Sequence, residues 1–270
     1  MAGCAGGPNE GGYLYIRLLL LAVCTLAFAW QVFDNAPLVV AANRDESNGR
    51  PSEPPTLFRD EPRAVAPRDS RAGGSWIGYN EHGVLVAITN RWVDREGDRS
   101  RGQLVADCLG YASTTAAVDH VEQSVGCESY AGFNLVIADP NHAVLLEFDG
   151  TLSITAFDPG VHVVVNVGAD GSYFEPAARP TVGRQQATNA DRLRAALEPT
   201  IEESAGEWLE RAGQILGTHE FGVCVHGEDF GTRSASLILL EEVDGELRDC
   251  YLFAEGPPCR TPFRRVESSL

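Results

Sequence analysis

Two short apolar segments with polar chemistry at their ends constrain this chain most. The first reads Val23-Cys24-Thr25-Leu26-Ala27-Phe28-Ala29-Trp30, and its alternation predicts a strand over 24–32 that opens on a cysteine. The second, Leu38–Ala42, is another apolar run that ends at Asn43-Arg44-Asp45-Glu46, read as a polar loop. A thiol at the head of one strand and a carboxylate beside a guanidinium at the end of the next are a strong start for chemistry.

The rest of the chain supplies the frame. Residues 51–67 are rich in Pro and Arg and read as loop. Gly73–Gly78 leads into a hairpin with its turn at Asn80-Glu81-His82-Gly83 and a return strand over 84–89. Helices are predicted over 101–112 and 115–125. Segments 133–138, 143–148 and 152–157 form a meander, turning at Asp139-Pro140-Asn141 and Asp149-Gly150. A buried-type strand follows at 161–167. Helices come next at 189–197, capped by Thr188 or Asn189, and at 202–216. Strands return at 221–225, 234–240 and 247–253, with a hairpin turn at Asp244-Gly245. Strands, then helices, then strands again predict an α+β fold of two antiparallel sheets with helices outside. No repeat, low-complexity tract or linker divides the 270 residues, so one domain is expected. The Pro/Arg-rich tail from Gly256 is expected to be mobile.

Charge narrows the partners. Asp plus Glu number 38 against 21 basic residues, for a net charge of −17, and every basic residue is arginine. Nucleic acid and anionic lipid both need positive surface, so neither is an expected partner. An acidic, lysine-free composition is expected of a halophile's protein, because high salt screens self-repulsion. The seven cysteines are odd in number and none has C-x-x-C spacing, which suggests neither a disulfide framework nor a zinc site. The six histidines show no metal spacing and read as surface or core residues, so no metal and no cofactor are expected.

The cysteine-headed strand, the Asn43–Glu46 quartet and the segments Gly73–Gly78, Asn90, Arg101-Gly102, Gly132-Phe133-Asn134, Asn166 and Gly231-Thr232-Arg233 occur in order along the chain. Together they resemble the NRDE family, also called the transport and Golgi organization protein two family. Its members begin Met-Cys. Here Val23 precedes Cys24, and a GTG valine codon can serve as a start that is read as methionine. The expectation is therefore that residues 1–22 are a non-native extension from a mis-assigned start, and that 23–270 is one NRDE-type domain. Two other readings of the apolar run Leu18–Trp30 compete: a membrane helix, for which it is too short, and a lipoprotein site at Cys24, from which Val23 departs. The late start is preferred because the resemblance begins at Cys24 itself, and it implies a cytoplasmic protein with no stable membrane insertion.

The family resembles cysteine N-terminal-nucleophile hydrolases such as bile-salt and penicillin V acylases. That resemblance implies an αββα sandwich and cleavage of an acyl amide. With the initiator removed, Cys24 would carry a free α-amine, whose pKa of about 7.7–8.0 suits a general base beside the thiol nucleophile. The resemblance further implies that Asp45 orients that amine and that Arg44 lies close by. Asn90 and Asn166 would form the oxyanion site, and Arg233 would favour the thiolate. The expected partner is a small-molecule amide or lipid-like ligand. The alternative is a non-catalytic binding or trafficking protein for a lipid, acyl-CoA or haem. Intact mass and N-terminal sequencing of the protein from its native cell separate these readings. We expect a chain that starts at unmodified Cys24; residues 1–23 retained, or lipid on Cys24, would remove the α-amine.

Overall fold

The computed structural model describes residues 24–267 and 270. The expectations about an extension, a start site and a leader in residues 1–23 lie outside the described residues. The chain runs through β1 (Thr25–Phe33), β2 (Ala36–Ser47), β3 (Ser52–Asp60), β4 (Arg63–Asp69), β5 (Ile77–Asn80) and β6 (Leu85–Asn90). Helices α1 (Arg101–Cys108) and α2 (Thr114–Cys127) follow. Then come β7 (Phe133–Ala138), β8 (Ala143–Phe148), β9 (Leu152–Ala156), β10 (Gly160–Val165), β11 (Gly168–Ala169) and β12 (Ser172–Tyr173). Helices α3 (Pro180–Leu197) and α4 (Ala205–Leu216) precede β13 (Phe230–Val243), β14 (Glu246–Ala254) and β15 (Arg264–Arg265).

Among the described residues the strands form two antiparallel sheets. One has eight strands in the order β12-β11-β10-β1-β2-β13-β14-β15; the other has seven in the order β3-β4-β5-β6-β7-β8-β9. β1 therefore sits inside its sheet, between β10 and β2. Strand periodicity splits its side chains between two cores. Leu26, Phe28 and Trp30 pack against Ile77, Tyr79 and Leu85 of the other sheet. Ala27 and Ala29 face α3 and α4, where Leu193, Leu197 and Trp208 fill the space that small strand residues leave. A third core lies under α1 and α2, with Leu104, Leu109 and Val121 against Val86 and Leu135. Three apolar layers between four layers of secondary structure make the αββα sandwich.

Several segments differ from the sequence expectation. Residues 51–67 are not loop but the hairpin of β3 and β4. β3 is an edge strand, where Pro54 and Pro55 cost no interior ladder bond, and the pairing slips between Glu53 and Thr56 where they sit. Asn43–Glu46 is strand too: β2 continues to Ser47 because β13 pairs along it from Phe230 to Leu240. Helix α3 starts nine residues earlier than expected, with Pro180 in its first turn, where a missing N–H costs nothing. Residues 221–225 are bends, with Gly222 at φ +65°, and not a strand. The tail is docked, since Arg264 and Arg265 pair with Phe253 and Leu252. No helix among the described residues is long and apolar enough to cross a membrane.

Asn43 ties the helical layer to β2. It is 2% exposed, and its Nδ2 donates to Leu216 O at 3.0 Å and Val223 O at 2.8 Å. Leu216 ends α4, so its carbonyl has no partner within the helix. Asn43→Ala strands two buried acceptors and should cost roughly 2–4 kcal/mol, read as a lower urea midpoint with an unchanged m-value.

Candidate functional site

Cys24 lies at the head of β1, where Thr25 pairs with Asn43 of β2. The antiparallel register therefore carries Arg44, Asp45 and Glu46 past the thiol. Cys24 Sγ donates to the Asp45 carbonyl at 3.5 Å. Both residues open onto a cavity of about 750 Å³, whose other wall comes from residues 69–76 and 97–102. That wall depends on a close backbone approach: Ser75 N donates to Gly102 O at 3.0 Å, and a Cβ on Gly74 would stand 2.1 Å from the Gly102 carbonyl carbon. This contact gives a physical reason for Gly74 and Gly102.

Charge dominates the lining. Arg44, Arg50, Arg71, Arg99 and Arg101 face Asp45, Glu46, Asp69 and Asp98 around the cavity. Arg50 is committed to Asp69 at 2.6 Å, and Arg99 to Asp107 at 2.5 Å. Arg44 is different. It is 6% exposed and stacks over Trp76 at 4.2 Å, and its nearest carboxylate, Glu46, is 3.7 Å away. Its buried Nη1 has no hydrogen-bond partner among the described residues. Arg101 is spent partly on Gly132 O at 2.7 Å. Burial draws both guanidinium pKa values down, yet arginine keeps its proton. A buried cation with a spare donor favours an anion in the cavity.

The thiol itself is held protonated. Burial and then the Asp45 charge push Cys24 up to about 12, against the weaker pull of the hydrogen bond to Asp45 O and of Arg44.

The structure brings some of the expected residues together and sets others back. Cys24, Arg44, Asp45 and Asn90 line the cavity. Asn166 and Arg233 do not. Asn166 is fully buried; its Nδ2 donates to the Asn90 backbone carbonyl at 2.6 Å and its Oδ1 accepts from Gln186 of α3 at 3.0 Å. Arg233 occupies a bulge in β13 between Thr232, which faces Asp45, and Ser234, which faces Arg44. Sequence reasoning missed Arg50, Asp69, Trp76 and Arg99, which only the loop packing delivers. His219, His226 and Cys259, expected as unconnected surface or core residues, converge elsewhere.

The sequence of residues 23–247 matches the family model described as Transport and Golgi organisation 2. The chain belongs to the Transport and Golgi organisation 2 family. It is 27% identical over 245 residues to the human Transport and Golgi organization protein 2 homolog, covering 78% of this chain and 84% of that protein. The Bos taurus homolog is likewise 27% identical, over 244 residues, with the same coverage. Among solved structures, the fold is similar to a Caenorhabditis elegans N-acylethanolamine-hydrolyzing acid amidase ortholog, at a TM-score of 0.50 and 12% identity over 79% of this chain and 92% of that one. It is also similar to a variant of conjugated bile acid hydrolase from Clostridium perfringens, at a TM-score of 0.51 and 10% identity over 89% and 92%. At such identities these two define the architecture alone.

The charge balance around Cys24 is open to measurement. Asp45→Asn removes the carboxylate that opposes the thiolate, so alkylation of Cys24 by iodoacetamide at neutral pH should speed up by several-fold, to at most about tenfold. An unchanged or slower rate would show that Asp45 does not act on the thiol through its charge.

Proposed function

We propose that this protein is an N-terminal-cysteine hydrolase of small acyl amides that carry a negative charge, active once its chain begins at Cys24. One observation carries the reading: the thiol at the head of a doubly buried central strand opens onto a cavity where Arg44, held over Trp76, keeps a buried donor unspent. The acylase-like architecture is consistent with it.

The chemistry follows from one residue with two groups. The α-amine of Cys24 takes the thiol proton, and the sulfur attacks the amide carbonyl. The tetrahedral intermediate collapses to a thioester as the protonated α-amine gives its proton to the leaving amine. Water, deprotonated by the same amine, then cleaves the thioester and restores the thiol. Asp45 orients the α-ammonium, and Arg44 binds the substrate's anionic group. Asn90 donates to the developing oxyanion. Asn166, to which the family resemblance gives a direct oxyanion role, acts through Asn90 by holding its carbonyl. Arg233, at the bulge beside Arg44 and Asp45, supports the thiolate by charge. A long apolar ligand such as a lipid tail or haem fits a lining of arginines and carboxylates poorly, which weighs against a lipid or haem carrier. The thiol would act in the reducing cytoplasm.

The reading is tested by making two forms of the protein. One starts with methionine at position 23, so that its removal exposes Cys24; the other retains residues 1–23. Amide hydrolysis is screened with acyl amides of matched size, with and without a carboxylate. We expect activity only from the form with a free Cys24, loss of at least about 10³-fold in Cys24→Ala, and a preference for the anionic amides that Arg44→Met abolishes. Hydrolysis by the uncleaved chain would sink the mechanism. Equal rates on neutral and anionic amides would remove the assignment of Arg44.

A further inference from the structure

A second constellation lies outside the Cys24 cavity, where the segment after α4 meets the C-terminal tail. His219, His226 and Cys259 are exposed, and one ligand atom from each lies within 4.8 Å of the others. His226 Nε2 stands 3.2 Å from Cys259 Sγ and 3.8 Å from Cys224 Sγ. Cys224 is buried. The rings of His219 and His226 meet at 5.2 Å between centroids.

A hydrogen-bond network explains this arrangement badly. A single imidazole nitrogen has either one proton or one lone pair, so it cannot satisfy two sulfurs at once. A metal can, because each ligand turns its own lone pair toward a common centre. Tetrahedral coordination with metal–sulfur bonds of about 2.3 Å and metal–nitrogen bonds of about 2.0–2.1 Å places nitrogen and sulfur roughly 3.6 Å apart. The two observed separations, 3.2 and 3.8 Å, bracket that value.

We propose that His219, His226 and Cys259 form a zinc site, with Cys224, whose Sγ stands 3.8 Å from His226 Nε2, turning in as the fourth ligand. Two thiolates and two imidazoles are the ligand set of structural zinc, and they discriminate against the hard cations that prefer oxygen. The paired thiolates cancel the metal's charge, so the nearby Arg260 guanidinium, which acts on His226, does not repel the filled site. Spacing hides the site: three ligands fall within eight residues in an irregular segment, and the fourth follows His226 by 33 residues. Zinc would staple the tail to the bend at 219–226. That bend carries Val223, whose carbonyl binds Asn43, two residues before Asp45 in β2. The metal would stiffen the segment behind Asp45 without entering the Cys24 cavity, so the site stands whether or not Cys24 is a nucleophile.

The full 270-residue chain, purified under reducing conditions and stripped with a chelator, is titrated with Co²⁺ and then with Zn²⁺. We expect one equivalent of cobalt with the intense visible bands of a tetrahedral ion and a near-ultraviolet thiolate-to-cobalt band, both bleached by zinc. Thermal stability should rise with zinc. Cys259→Ala and His226→Ala should each weaken binding by at least the ~10–100-fold that losing an outer-shell partner costs. Cys127→Ser, at an exposed cysteine outside the cluster, should leave it unchanged. A cobalt spectrum that stays octahedral, or binding untouched by both ligand variants, overturns the proposal. So does a reduced chain that binds neither ion yet joins Cys224 to Cys259 as a disulfide when the reductant is removed. The wild-type spectrum decides the matter even if a variant fails to fold.

Discussion

The fold depends on β1 being buried on both faces. A strand in the interior of a sheet that is itself the middle of a sandwich must satisfy two cores with alternating residues. Leu26, Phe28 and Trp30 fill one; Ala27 and Ala29 leave room for Trp208 in the other. A slip of one residue would put tryptophan under the helices and alanine between the sheets, so the register is fixed by volume as well as by hydrogen bonding. That register fixes the position of Cys24. The thiol is held at the sheet end by the apolar pattern downstream.

Buried asparagines join the layers where apolar packing stops. Asn43 holds the end of α4 and the bend at Val223. Asn80 does the equivalent for the other helical layer, donating to Leu109 O and Tyr111 O while accepting from His82 N and Val84 N. Asn134 donates to Val165 O of the opposite sheet at 2.8 Å, and Asn166 holds Asn90. Each supplies a directional donor to a carbonyl that secondary structure leaves unpaired, which apolar side chains cannot do. The clamps also adjoin the site: Asn43 precedes Arg44 and Asp45, and Asn166 grips a residue that lines the cavity.

Electrostatics at the site are frustrated in a useful way. The thiol is pushed up by burial and by Asp45, while Arg44 is buried with a donor to spare. In a chain that continues ahead of Cys24, this combination keeps the sulfur protonated. In the proposed mechanism, a chain that begins there gains an α-amine as the base that the surroundings withhold.

Much of this was legible in the sequence. The meander at 133–156 and both sheets' central strands are legible as short apolar runs between turn residues, and β1 adds a large–small alternation because its two faces fill different cores. Cys24 and Asn43–Glu46 stand at the ends of apolar segments, where a polar residue stands out, whereas Asn90 is singled out by the family resemblance. What sequence alone could not determine arises from contacts distant along the chain. β3 carries two prolines that local rules assign to loop, and only its place at a sheet edge makes them tolerable. β2 extends through Arg44 and Asp45 because β13, some 190 residues later, pairs with it. The cavity's arginines and the gathering of His219, Cys224, His226 and Cys259 depend on loops brought together by packing, which no spacing rule encodes. The sequence by itself determined the central strands and the residue that heads the first of them, since side-chain pattern is local. Only the tertiary structure decided which charges meet that residue, since their positions are set by long-range pairing and not by neighbours in the chain.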